Sequence, residues 1–248
     1  MPSGSTPFEV AQSISEGLAR AVISASFKGI SIEATTPLQE DGELVLYTWN
    51  NDEGKKAFWH SSAHLLAQAL EQMYPGIKLT IGPAIDNGLY YDIDPGEHNI
   101  SEKDLPAIEK RMIELARGKH AFALRSVAKA EALSFYKTAG NEYKTALIEN
   151  LDDGTITFCD HDDFTDLCRG GHVPNTGIIK AVKLTNIAGA YWRGDEQNKQ
   201  LTRIYGVSFP KQKLLTEHLE LLDEAKKSDH RKRGAELGLF TISQKVGR

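Results

Sequence analysis

Two short stretches of the 248-residue chain carry side chains suited to proton transfer or metal ligation. In Trp59-His60-Ser61-Ser62-Ala63-His64 two imidazoles stand four residues apart, a spacing that puts them on one side of a helix. That helix is predicted over 58–73, with Trp59, Ala63, Leu66, Leu70 and Met73 on its apolar face and the histidines at its shoulder, where a pair can line a pocket. In Asp166-Leu167-Cys168-Arg169-Gly170-Gly171-His172 the adjacent glycines forbid a stable helix and allow a tight turn that brings Cys168 and His172 to one point. Three imidazoles and a thiol are donors that zinc prefers, so His60, His64, Cys168 and His172 suit a four-ligand site by type. Against this, CxxxH is a less usual spacing than CxxC or HxxxH, and a closed structural site leaves Asp166 without a role. Spacing alone leaves zinc and metal-free acid–base chemistry both open. Taken singly, HxxxH on an amphipathic helix is ordinary surface or packing histidine, and a cysteine before Gly-Gly is a small buried residue.

The elements that must hold these residues follow from periodicity and punctuation. Thr6-Pro7-Phe8-Glu9 is a capping box with proline at the first helical position, and an apolar stripe continues to about Leu18. Strands are predicted at 21–27 and 30–34 around the turn Lys28-Gly29, and at 44–49. Residues 50–56, polar and carrying Gly54, read as a linker. Pro75-Gly76 ends the histidine helix, and strands at 79–85 and 89–93 flank the Asn87-Gly88 turn. Ser101 caps a further helix that Gly118 closes, followed by a strand at 121–127 and helices at 129–139 and 142–150. Strands return at 155–159, 178–187 and 201–207, the last two joined through a polar loop at 193–199, and a long helix begins at 211. Helices and strands mix without βαβ alternation or internal repeat, so the fold class is α+β with a largely antiparallel sheet.

Composition narrows the function classes. No apolar run reaches the roughly 18 residues a membrane span needs, and the opening residues lack the pattern of a signal peptide, so a cytoplasmic protein with no membrane partner is expected. Cys159 and Cys168 are too few for a disulfide framework. A formal charge of -5, from 29 Lys and Arg against 34 Asp and Glu, excludes a domain that coats nucleic acid uniformly. Local positive charge is still present in Ala225-Lys226-Lys227-Ser228-Asp229-His230-Arg231-Lys232-Arg233-Gly234.

The motifs HSSAHLLAQAL, TIGPAIDNGLYYDID, DLCRGGHVPNTG and AGAYWRGDEQNKQLTRIYGVSF, in this order, closely resemble the N-terminal editing half of bacterial threonyl-tRNA synthetases, from about residue 6 to the C-terminus. The resemblance implies a TGS unit, a small β-grasp module, over 1–50, an editing domain related to that of alanyl-tRNA synthetases over 51–210, and over 211–248 a linker helix toward a catalytic domain. It also implies hydrolysis of seryl-tRNA(Thr). Serine lacks one methyl of threonine, and a methyl supplies only about 1–3 kcal/mol of discrimination, so a second sieve is required.

Carried over by position, the editing pocket falls on His60, His64, Cys168 and His172, with Lys144 and Asp166 beside them. His60 or His64 is expected to orient or deprotonate the water, and Lys144 to serve the leaving oxygen or the oxyanion. Asp166 is assigned the serine ammonium or a histidine tautomer, and Cys168 shapes the pocket. Tyr91 and Tyr90 are assigned to the terminal adenosine. Arg169, Arg193, Lys199 and Arg203 are assigned to tRNA phosphates. Alanyl-type relatives hold zinc on a similar set, whereas the threonyl type edits without it. No metal is therefore expected, with zinc on His60, His64, Cys168 and His172 as the alternative.

In the family, ATP, magnesium and a structural zinc belong to a catalytic core that this sequence does not contain. A β-grasp module normally opens with a strand pair before its first helix, so the first unit is expected to be N-terminally incomplete. The tRNA(Thr) acceptor end carrying serine is the implied partner. A homodimer is left open for the full-length enzyme and a monomer for this piece. The competing readings are a scaffold that holds the acceptor end without hydrolysis, and a free-standing alanyl-type hydrolase.

Overall fold

The computed structural model describes residues 2–236. In the first unit, helices α1 (Pro7–Ile14) and α2 (Glu16–Ala21) pack on an antiparallel sheet of β1 (Val22–Phe27), β2 (Ile30–Ile32) and β3 (Leu44–Thr48) in the order β2-β1-β3. The capping box at Thr6 and Glu9 forms as the sequence predicts. The helical stripe that follows is broken at Ser15, whose extended backbone ends α1 and whose side chain accepts from Leu18 N to start α2.

Helix α3 (Asp52–Met73) is the central post of the molecule. It starts inside the segment that reads as a linker, and Gly54 explains why. A β-carbon there would lie 2.0 Å from the Thr48 carbonyl oxygen, so only glycine lets the first helical turn pass under the end of β3. The linker expectation is thus corrected: polar residues 52–56 are a helix start that joins the first unit to the rest. Small residues then let α3 be buried almost all round. Ser61 and Ser62 return their hydroxyls to the carbonyls of Ala57 and Phe58, and Trp59 donates its indole N–H to Ser208 O at 3.1 Å.

The second sheet runs β10-β11-β6-β4 and is antiparallel throughout. It comprises β4 (Lys78–Leu79), β6 (Gly88–Asp94), β10 (Ala181–Tyr191) and β11 (Gln200–Phe209), with β5 (Ala84–Ile85) folded back on β6. Helix α3 and helix α4 (Leu105–Arg117) pack against it, and Leu66, Leu70, Ile93, Ile108 and Met112 meet in the main core. A third sheet, β7 (Ala123–Ser126), β8 (Thr157–His161) and β9 (Phe164–Leu167), stands beside helices α5 (Lys129–Thr138) and α6 (Glu142–Glu149). Its last strand is absent from the sequence reading because Asp160 to Asp163 look like loop. Asp162, at φ 52°, makes the tight turn that pairs Cys159 with Asp166. Helix α7 (Gln212–Glu236) follows β11. Residues 237–248 and, apart from Lys227, the side chains of the cationic run at 226–234 lie outside the described residues. Among the described residues no helix is long and apolar enough to cross a membrane.

Candidate functional site

The two sequence stretches meet. From α3, His60 and His64 point at the turn that follows β9, where Gly170 and Gly171 take φ values of 93° and 87° that glycine tolerates best. That turn folds Cys168 and His172 together, as the sequence predicts. Three imidazoles converge on one sulfur: the Nε2 atoms of His60, His64 and His172 lie 3.0, 3.3 and 3.2 Å from Cys168 Sγ. His172 is fully buried, stacked between the rings of Phe122 and His60. Ser61 Oγ accepts from Val173 N at 2.9 Å and so clips the turn to α3.

Behind this cluster lies a hub on Asp166. Lys144 Nζ is 2.5 Å from its Oδ1, and Tyr91 donates its hydroxyl to Oδ2 at 2.8 Å. His64 Nδ1 approaches Oδ2 to 3.2 Å, near enough for an ion pair but without the alignment of a hydrogen bond. Asp166, Lys144 and Tyr91 are each at most 2% exposed, so the carboxylate is spent inside the protein. Asn141 caps α6 by accepting from Lys144 N and donates to Leu79 O, which fixes the start of the helix that carries the lysine.

Charge states follow from these contacts. Burial opposes ionisation of Asp166, but the Lys144 cation and the neighbouring His64 hold its carboxyl well below the usual range. Burial likewise disfavours a Cys168 thiolate. The three imidazoles outweigh it and bring the thiol well down. Burial by itself lowers histidines, and His60 stays lowered, whereas the Cys168 and Asp166 charges raise His64. For His172 burial is outweighed by hydrogen bonds to Cys159, Cys168 and Glu33, which push it up to about 12. Of the three imidazoles His60 alone is shifted toward the uncharged form.

His60, His64, Asp166 and Cys168, though not His172, border a cavity of about 610 Å³ whose apolar lining includes Ile81, Pro83, Leu147, Leu151 and Ile156. That size suits a small ligand rather than a helix or strand. Gly82 sits against the ring of Tyr91, where a β-carbon would come to 2.1 Å. Gly82 and Tyr91 are thus in close contact within the wall.

Other expected residues separate. Arg169 is exposed, lines the cavity and makes no ion pair among the described residues. Tyr90 alternates to the opposite face of β6 from Tyr91, away from the cavity, and lies under Arg203, whose guanidinium carbon is 3.9 Å from its ring centre. Arg203 is held bidentately by Asp92, at 2.6 and 2.7 Å, and Lys199 by Asp94 at 2.6 Å. Arg193 is outside the cavity, on the loop between β10 and β11, donating to Ala146 O at 3.2 Å. Two residues at the site escape sequence reasoning. Glu33 meets His172 from the first unit, and Thr157 donates its hydroxyl to Cys168 O. Neither belongs to a recognisable local pattern.

The donor set fits a metal. Its four ligand atoms lie within 4.8 Å of one another, and tetrahedral zinc would put nitrogen and sulfur about 3.5 Å apart, a few tenths beyond the present separations.

A family model described as the threonyl and alanyl tRNA synthetase second additional domain matches residues 156–205, and the TGS domain model matches residues 1–48. The threonine-tRNA ligase of Flavobacterium johnsoniae is 69% identical over 244 residues, 98% of this chain and 37% of that protein. That of Flavobacterium psychrophilum is 67% identical over 99% of this chain and 38% of its own length, and that of Porphyromonas gingivalis 58% identical over the same shares. The chain corresponds to the N-terminal TGS and editing region of threonyl-tRNA synthetases. It spans under two fifths of the relatives' length. The 156–205 match takes in Asp166, Cys168 and His172 but none of His60, Tyr91 and Lys144, which the fold brings in from α3, β6 and α6.

Proposed function

We propose that this region hydrolyses the ester of seryl-tRNA(Thr), with the seryl-adenosine end in the cavity and water as acyl acceptor. The observation that carries the reading is the convergence on that cavity of one neutral imidazole, a buried amine and a rigid wall, the parts that ester hydrolysis needs.

His60 is the general base. Its Nε2 faces the Cys168 sulfur and donates to it, which leaves the lone pair on Nδ1, a nitrogen with no protein partner among the described residues and not sealed from solvent. His64 has both ring nitrogens turned to other groups of the site, Nε2 to Cys168 and Nδ1 to Asp166, and so offers the water no free lone pair. As the water oxygen bonds to the ester carbon, its proton passes to His60. The negative charge gathering on the carbonyl oxygen and then on the leaving ribose oxygen is met by Lys144, held in place by Asp166 and Tyr91. His60 delivers the proton it has taken to the leaving ribose oxygen, and serine is released as its carboxylate, the second water proton passing to solvent. Asp166 serves as the anchor of Lys144 and His64 rather than as a ligand for the serine ammonium. Tyr91, buried in the wall under Gly82, acts by holding Asp166 and Lys144 in place. Arg169 at the cavity mouth takes a tRNA phosphate.

Zinc on the four donors would supply Lewis acidity and a structural tie. With four protein ligands it would have no open position for a reacting water, so the reading keeps His60 as base without metal. Stoichiometric zinc in purified protein, with hydrolysis lost on chelation, would overturn that part. Single-turnover hydrolysis of seryl-tRNA(Thr) tests the whole: His60→Ala and Lys144→Ala are each expected to slow it at least about 100-fold. Rates near wild type for both would sink the assignment.

A further inference from the structure

Among the described residues the carboxylate of Glu33 has no hydrogen-bond partner in its own unit. It follows β2, where Thr36 N returns to its carbonyl at 3.0 Å, and it is 8% exposed. A buried carboxylate is costly unless hydrogen bonds replace its water. All three that it accepts among the described residues come from the site turn: Gly171 N at 3.1 Å, His172 N at 2.9 Å and His172 Nδ1 at 2.8 Å. The turn is shaped to receive it. With Gly170 and Gly171 both at positive φ, successive backbone N–H groups form a concave nest; Gly170 N points to Cys168 Sγ at 3.4 Å and the next two N–H groups to Glu33. A β-carbon on Gly170 would come to 2.9 Å from Leu124 Cδ2 and into contact with Glu33 Oε1 at 3.4 Å.

The consequence reaches the cavity in two steps. Glu33 holds the proton of His172 on Nδ1, which aims Nε2 at Cys168; the sulfur in turn receives His60 Nε2. We propose that Glu33 is a positioning residue of the editing site, so that the TGS unit completes the site by fixing His172 and, through Cys168, the orientation of His60. This rests on the hydrolytic reading above. The geometric part stands apart from it, because the Nδ1–H to carboxylate bond can be observed without substrate. Gln cannot replace Glu33 here: the acceptor must face three donors, and a carboxamide offers one oxygen and turns its own N–H groups toward the others.

The test uses the whole chain, with Glu33→Gln and Glu33→Asp beside wild type, at a temperature where circular dichroism shows all three folded. Nitrogen-15 NMR is expected to show a downfield, slowly exchanging His172 Nδ1–H in wild type that is lost in Glu33→Gln. Single-turnover hydrolysis of seryl-tRNA(Thr) at saturation is expected to fall at least tenfold in Glu33→Gln, with the half-saturating concentration changed less than twofold and Glu33→Asp lying between. A merely structural contact would leave the saturated rate of the folded variant unchanged. The proposal is overturned if the resonance is missing from wild type or survives in Glu33→Gln, or if the folded Glu33→Gln variant hydrolyses at the wild-type rate. A wild-type chain that hydrolyses neither ester overturns the functional reading, and the resonance then still decides whether Glu33 holds His172.

Discussion

Three imidazoles around one sulfur form a set in which each proton depends on the others, and two outlying residues show what that costs. His161 is 2% exposed between Phe122 and Phe164, and neither of its ring nitrogens has a partner. Burial, with the nearby imidazolium charges, brings it down to about 3. The folded value lies below the unfolded one of about 6.5, so the folded state lacks a proton that the unfolded chain takes up between these values. Stability from this residue is full above about pH 6.5 and is lost as pH falls toward 3, by about 2 kcal/mol at pH 5. His161→Phe keeps the ring and removes the titration. Urea unfolding at pH 7 and pH 5 should therefore show a smaller acid loss for the variant, by about that amount. Lys144 is the opposite case, a buried cation that Asp166 requires. Lys144→Ala leaves that carboxylate uncompensated and should cost about 3–5 kcal/mol, whereas adding Asp166→Asn should cost less than the sum of the two single changes. Arg169 differs from Arg203 in having no ion pair among the described residues, so Arg169→Ala should flatten the salt dependence of tRNA affinity by about 0.7–0.9 in log–log slope. Arg203→Ala should instead loosen Asp92 and Tyr90.

The elements matter through the angles at which they deliver these side chains. Helix α3 begins at Asp52, passes close to the end of β3 at Gly54, and turns His60 and His64 toward the 168–172 turn. The turn depends on two left-handed glycines, and Gly171→Ala places a side chain at φ 87° beside Ser31. That change should destabilise by about 1–3 kcal/mol and slow hydrolysis in the remaining folded protein, as unfolding curves and single-turnover rates would show. HxxxH with its apolar stripe gave away α3, and the Gly-Gly pair gave away the turn. Strand β9 was hidden, because a left-handed Asp162 inside a run of acids looks like plain loop. The α1–α2 break was hidden too, since Ser15 only caps once the chain turns there. Tyr90 and Tyr91 look alike in sequence. The pleat separates them, and only the pairing of β6 with β11 says which face is the pocket's.

At the scale of the whole molecule, the site draws on four separate parts of the chain: a carboxylate from the first unit, two imidazoles from α3, a lysine from α6 and a Cys/His turn after β9. Sequence motifs mark the second and the fourth, and the lysine enters only through the family resemblance. The first is a long-range pairing that nothing local announces, because an acid after a short strand is ordinary until its partners are in place. The net charge of -5 now has a narrower meaning, since the acids at the core of the site are internally paired and Arg169, exposed beside the cavity, makes no ion pair among the described residues. The most direct measurement follows ester loss from seryl-tRNA(Thr) and threonyl-tRNA(Thr), each incubated with the purified chain under single-turnover conditions. Rapid loss of serine with the threonyl ester left at its spontaneous rate is the predicted result. Equal rates for both esters, or no acceleration of either, would contradict it.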